Sequence, residues 1–212
     1  MTSANDLSAR KEADSLASSG NVARRLVREA DTLDAAVYDA IAGTPTPTLD
    51  RPLTRLSDAA TYSRLWIALA AGLGIFGGTQ GRRTAVRGLM TLAATSLTAD
   101  LTAKHLFPRQ RPDRGVGVAG RQARMPTSSS FPSGHAASAF AFATTVSADF
   151  PVLALPLYAT AAAVGYSRVH MGVHYPIDVV GGAVLGLALG SSAGRGCGAQ
   201  RRATTIRRAP RA

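Results

Sequence analysis

The stretches FPVLALPLYATAAAVGYS (residues 150–167) and VVGGAVLGLALGSSAG (residues 179–194) contain no Asp, Glu, Lys or Arg. Between them lies RVHMGVHYPID (residues 168–178), with two histidines, an arginine and an aspartate. Runs of this length fall a little short of the roughly 20 apolar residues that cross a bilayer core. Arginines at their margins close the gap by extending their charged heads to the interface. Alanine and glycine dominate both runs, and Gly182, Gly186 and Gly190 recur at four-residue intervals, a spacing that lets helices in lipid approach closely. The segment therefore reads as two membrane spans joined by a short polar connection that carries chemistry.

Two more uncharged stretches stand upstream, at residues 65–81 and 125–148. A fifth apolar stretch, residues 84–106, contains Arg87, Asp100 and Lys104, and charge inside a span marks function by default. The expected fold is all-α, a membrane-embedded bundle of about five transmembrane helices with an N-terminal amphipathic helix. A soluble bundle with an alanine-rich core stands second. Val22, Leu26, Leu33, Val37 and Ile41 recur near helical spacing among charged residues and define the amphipathic helix at residues 21–43. Residues 1–20 read as a disordered polar N-terminus. TPTPTLDRP (residues 44–52) reads as a proline-broken linker, residues 53–194 as the membrane domain, and residues 195–212 as a basic tail.

The composition, 46% hydrophobic and only 17% charged, falls below the charged fraction of soluble domains and agrees with a multi-pass cell-membrane protein. The net charge of +11 raises nucleic acid as a partner, but the basic residues are not interleaved with aromatics and no nucleic-acid motif occurs; none is expected. The single cysteine, Cys197, excludes an intramolecular disulfide. The first twenty residues lack the apolar core of a cleavable export signal, so insertion is expected from internal segments. Placing the basic tail in the cytoplasm puts GRRTAVR (residues 81–87) there as a turn, by the positive-inside rule. The polar connections at residues 107–132 and 168–177 then face outward.

Those connections hold three motifs in order. Lys104 is followed, after six intervening residues, by Arg111 and Pro112; then comes Pro132-Ser133-Gly134-His135; then Ser167-Arg168, with His174 and Asp178 further on. In isolation PSGH is a helix entry with Ser133 as its cap. A helix start also binds anions through its N–H groups, and Gly134 lets the backbone come close to one. Asp178, four residues after His174, is spaced to hold one imidazole nitrogen and leave the other free to attack. His170 and His174 are also four apart, but Gly172 weakens a helix between them and no HExxH glutamate is present, so no metal site is expected. His105 has no motif role. Arg109, Arg114, Arg121 and Arg124 read as ordinary interfacial arginines.

Together KxxxxxxRP, PSGH and SRxxxxxHxxxD resemble the type 2 phosphatidic acid phosphatase superfamily, with all eleven specified positions matched. The resemblance implies phosphate held by Lys104, Arg111, Arg168, Ser133 and Gly134, a covalent phosphohistidine at His174, His135 as acid and base, and no cofactor. Such a division suits phosphoryl transfer, in which positioning and positive electrostatics carry most of the catalysis. It implies a membrane lipid substrate in the bilayer: phosphatidic acid, phosphatidylglycerol phosphate, a polyprenyl phosphate or pyrophosphate, or a phosphorylated polyprenyl sugar. The alternatives are a vanadate-dependent haloperoxidase, which uses the same motifs, and a non-catalytic membrane or transport protein. Nothing in the residues sets an oligomeric state.

Overall fold

The computed structural model of the chain describes residues 4–103, 106, 108–113 and 125–207. Among them every regular element is helical: α1 (Ala4–Gly43), α2 (Pro47–Ala60), α3 (Arg64–Phe76), α4 (Gly78–Thr98) with a π-helical turn at Ala99–Ala103, α5 (Gly134–Asp149), α6 (Ala154–His170) and α7 (Pro176–Arg207).

Helix α5 is the axis of the bundle, packed against α4, α6 and α7. Ala136, Ala137, Ala139, Ala141 and Ala143 are fully buried, as such small side chains allow, and Phe142 and Val146 fill the gaps toward α4. Trp66 of α3 is buried against Phe142, with ring centroids 5.4 Å apart. The glycine row of α7 lies directly on α5. A Cβ at Gly182 would stand 2.4 Å from the Ser133 carbonyl oxygen, and one at Gly186 would stand 2.3 Å from that of Ala137. Backbone contact of this kind explains the four-residue glycine spacing.

Three helical stretches are long and apolar enough to cross a membrane: Pro47–Phe76, Pro151–His170 and Pro176–Gly194. Helices α4 and α5 do not reach that measure. The first carries Arg82, Arg83 and Arg87, and the second spans only 16 residues. Helix α5 is covered on most sides by protein, whereas α4 buries one face, with Gly81, Thr84, Ala85, Gly88, Thr91, Leu92 and Thr95, and leaves Val86, Met90 and Leu97 exposed on the other.

Several boundaries differ from the sequence expectation. The turn between α3 and α4 falls at Gly77 and Gly78, where Gly78 takes a positive φ of 60°, so residues 81–87 lie within α4 rather than forming the turn. Arg87 is consumed in an ion pair with Asp149 at the end of α5, and Thr84 also bonds that carboxylate. The break at residues 44–52 is shorter than expected. Pro47 occupies the start of α2, where its missing N–H costs nothing, and Pro52 lies within the helix. Residues 125–133 form a loop, and α5 begins only at Gly134. Helix α1 starts at Ala4 and runs through the segment read as a polar N-terminus, while α7 continues past Gly194 into the basic tail.

Helix α1 docks on the bundle by an unexpected face. Tyr38 and Ala42 are buried with Val169, and Asp34 is buried beside them. Val22, Leu26, Leu33 and Val37 stay exposed, because at 100° per residue their stripe lies about a third of a turn away from the docking face.

Candidate active site

The end of α6, the start of α7, the start of α5 and the 108–113 loop meet at one end of the bundle. The loop segments are tied by their backbones, since Ser130 N–H donates to the Arg109 carbonyl at 2.9 Å. Val173 N–H likewise donates to the Arg168 carbonyl at 3.1 Å. Gly172 takes a φ of 65°, a conformation that suits glycine and turns the chain from α6 toward His174.

His174 is buried between a cation and a carboxylate. Its Nε2 lies 3.3 Å from Arg111 Nη1, and its Nδ1 lies 3.4 Å from Ser130 Oγ and 3.6 Å from Asp178 Oδ2. A guanidinium only donates, so Nε2 is the acceptor and Nδ1 carries the proton toward Ser130 and Asp178. Burial pushes the imidazole down to about 4; Asp178 opposes that shift, while Arg111 and Arg168 reinforce it. At neutral pH His174 is therefore uncharged, and its Nε2 lone pair is held by Arg111 at the cavity wall.

Asp178 is fully buried in the first turn of α7. Its Oδ2 accepts from Tyr175 N–H at 2.9 Å and from the Ser130 hydroxyl, and its Oδ1 accepts from Arg109 Nη1 at 2.8 Å. The carboxylate reaches the imidazole alongside Ser130 rather than by a bond of its own. Arg111 is held by three backbone carbonyls, those of Val173 at 2.7 Å, Ser128 at 3.0 Å and Ser129 at 3.2 Å. Burial lowers its pKa, though a guanidinium stays charged at any physiological pH.

His174, His135, Arg111, Arg168 and Gly134 together line a cavity of about 270 Å³ whose opposite wall includes Trp66, Ser96 and Asp100. Arg168 is buried and donates to the hydroxyl of Ser57 on α2. Ser133 lies behind the cavity wall: it is fully buried, its N–H donates to the Asp178 carbonyl at 2.9 Å, and its hydroxyl accepts from Ala136 N–H at 3.5 Å. Its place is that of a cap joining α5 to α7. Lys104 lies outside the described residues, as do His105, Arg114, Arg121 and Arg124. His170 faces away from this group, with Nε2 2.8 Å from Asp50 Oδ1 on α2.

Three features of the site escaped the sequence reading. Ser130 stands in an SSS run with nothing to distinguish it from its neighbours. Arg109, read as an ordinary interfacial arginine, instead bonds Asp178, because the loop folds inward at that residue. Tyr62 and Ser63, at the cavity rim, take φ values of 53° and 60°, a left-handed conformation that side-chain-bearing residues adopt at a strain of about 1–3 kcal/mol each.

A bundle with membrane-crossing helices and a cationic cavity at one end, built around a buried neutral histidine, defines a class of membrane protein suited to handling an oxyanion. Residues 85–194, more than half of the chain, match the model of the PAP2 superfamily, and the chain belongs to that family. It is 34% identical over 166 residues to the decaprenylphosphoryl-5-phosphoribose phosphatase of Mycolicibacterium smegmatis, covering 73% of this chain and 82% of that protein. It is 32% identical over 123 residues to the undecaprenyl-diphosphatase of Sulfolobus acidocaldarius, covering 58% of each, so the chain spans less than two thirds of that relative's length. Its fold is similar to the crystal structure of a transmembrane PAP2 type phosphatidylglycerolphosphate phosphatase from Bacillus subtilis, with a TM-score of 0.64 and 25% identity over 81% of this chain and 87% of that one. With three apolar helices of spanning length and a transmembrane neighbour, the chain is a membrane protein.

Proposed function

We propose that this chain is a membrane phosphatase that hydrolyses a lipid phosphate monoester or pyrophosphate through a phosphohistidine at His174. The observation that carries the reading is the state of His174: buried, uncharged at neutral pH, and placed in the cavity wall with Nε2 against Arg111.

In the first step Arg111 redirects its N–H from Nε2 to the phosphate oxygens, the freed Nε2 attacks phosphorus, the P–N bond forms, and the P–O bond to the leaving group breaks. His135, entering protonated, gives its proton to the departing oxygen. In the second step neutral His135 takes a proton from water, whose oxygen attacks phosphorus; the P–N bond breaks and inorganic phosphate leaves. Arg111 and Arg168, with Lys104, neutralise the equatorial oxygens, which carry the growing charge. The N–H of Gly134, at the start of α5, adds a donor. Ser130, itself bonded to Asp178, accepts a hydrogen bond from the Nδ1 proton of His174, and the Asp178 carboxylate close behind stabilises the cationic phosphoimidazole.

The relatives act, by name, on prenyl-linked and phosphatidylglycerol phosphates, and those lipids are the substrates to try first. The cavity end is assigned to the extracytoplasmic face, and Arg82 and Arg83 at the other end of α4 to the cytoplasmic face, by the positive-inside rule. Phosphate release is to be measured from detergent-solubilised protein against undecaprenyl diphosphate, phosphatidylglycerol phosphate, phosphatidic acid and a decaprenyl phosphosugar. The expected result is release from at least one, lost in His174→Ala and retained in EDTA. Full activity in His174→Ala sinks the mechanism.

A further inference from the structure

Arg109 joins three acidic side chains from two helices. Its Nη1 donates to Asp178 Oδ1 at 2.8 Å, and its Nη2 donates to Asp34 Oδ2 at 2.8 Å and to Asp31 Oδ1 at 3.0 Å. The guanidinium stacks over the Tyr175 ring at 4.7 Å, and that ring meets Tyr38 of α1 edge-on at 5.4 Å. Asp34 uses its second oxygen as well: Oδ1 accepts from the Ile177 N–H at 2.8 Å, in the first turn of α7 and one residue before Asp178. One buried carboxylate on α1 thus grips both the backbone that carries Asp178 and the cation that orients its side chain. All of α1 lies outside residues 85–194, the part that matches the family.

We infer that Asp34 and Arg109 are positioning residues for the reaction at His174, and that α1 is a working part of the site rather than a peripheral anchor. The inference rests on the proposed role of His174 as nucleophile. A guanidinium presents its donors in a rigid planar fork, so fixing Nη2 on Asp34 and the plane on Tyr175 dictates where Nη1 meets Asp178. That contact leaves Oδ2 turned toward Ser130 and His174. The second carboxylate also matters for charge. Asp34 and Asp178 together outweigh the single charge of Arg109, so a net negative charge stays beside His174, where a phosphorylated ring requires it.

The test uses the full chain in detergent and whichever lipid phosphate the wild type cleaves. Asp34→Asn and Arg109→Lys are each expected to lower kcat about ten- to hundredfold, the scale of a displaced catalytic group, with KM changed less than about twofold. Asp34→Glu, which keeps the charge, is expected to restore part of kcat. Glu29→Gln on the exposed face of α1 is the control and is expected to match the wild type. Wild-type kcat in a folded Asp34→Asn protein overturns the inference. Should that variant fail to fold, Arg109→Lys decides, because it retains the cation and removes only the fork. A wild-type chain that releases no phosphate defeats the proposed function itself, whereas an active wild type with an inactive His174→Ala and an unaffected Asp34→Asn defeats this inference alone.

Discussion

Nη1 of Arg111 lies 3.3 Å from Nε2 of His174 while donating to the carbonyl of Val173, the residue just before that histidine, at 2.7 Å. One guanidinium therefore holds the His174 backbone in place and adds to the burial that keeps its ring uncharged. The cation opposes protonation, and the buried ring stays uncharged in mild acid where an exposed histidine would not.

A first consequence concerns pH. His174 is held down to about 4 by burial, aided by Arg111 and Arg168, against about 6.5 when unfolded. In the folded protein its ring should titrate near pH 4 by NMR, and the unfolded chain then binds more protons between pH 6.5 and pH 4. The fold accordingly loses stability as pH falls through that window. Arg111→Gln removes a cation and should move the titration upward. A ring that titrates near 6.5 in the wild type contradicts the geometry.

Ser130 bridges the two partners of the dyad, bonding Asp178 Oδ2 and lying 3.4 Å from His174 Nδ1. Replacing it with alanine removes a hydrogen bond to a charged group, about 1.5–3 kcal/mol. If that bond serves the transition state, kcat of Ser130→Ala should fall roughly ten- to hundredfold with KM little changed. Steady-state kinetics on the cleaved lipid decides, and an unchanged kcat removes Ser130 from the site.

The contact between α5 and α7 predicts a contrast between two glycines. At Gly186 a Cβ would stand 2.3 Å from a backbone carbonyl, whereas at Gly72 nothing lies within 4 Å. Gly186→Val should lower the melting temperature in detergent by roughly 5 °C or more, and Gly72→Ala should leave it within about a degree. Equal effects at both positions would mean that the helices are not in backbone contact.

The Arg87–Asp149 pair is expected to serve stability alone. Its side chains are 21% and 14% exposed, and breaking a pair half-enclosed in this way leaves a charge without its partner, at about 1–3 kcal/mol. Asp149 stands at the far end of α5 from His135, about 20 Å along the helix. Asp149→Ala should therefore lower the yield and melting temperature, while kcat per folded molecule stays near wild type. A kcat loss at full stability would show that the pair reaches the site.

Much of the candidate site was legible in the chain because its groups stand at fixed short spacings. His174 and Asp178 are four apart, on either side of a helix start, and Gly134 and His135 are consecutive, so local geometry brings each pair together, whereas Ser133 turns behind the cavity wall as a cap. The glycine row at 182, 186 and 190 was legible for the same reason, since a helix returns to one face every four residues. The boundaries near Gly77 and Pro47 were less so, because the arginines of residues 81–87 resemble a cytoplasmic turn and prolines resemble a linker until packing decides.

The sequence by itself determined an all-helical membrane chain and the histidines, cations and carboxylate suited to an oxyanion. Only the tertiary structure decided that Arg109 turns inward, that Ser130 of three equivalent serines joins Asp178, and that Asp34 reaches Ile177 from 143 residues away. The reason is physical: residues near one another in sequence meet through the periodicity of a helix, which can be read directly. Contacts across the bundle depend on how α1 and the 108–113 loop pack against α7, and no local spacing encodes that.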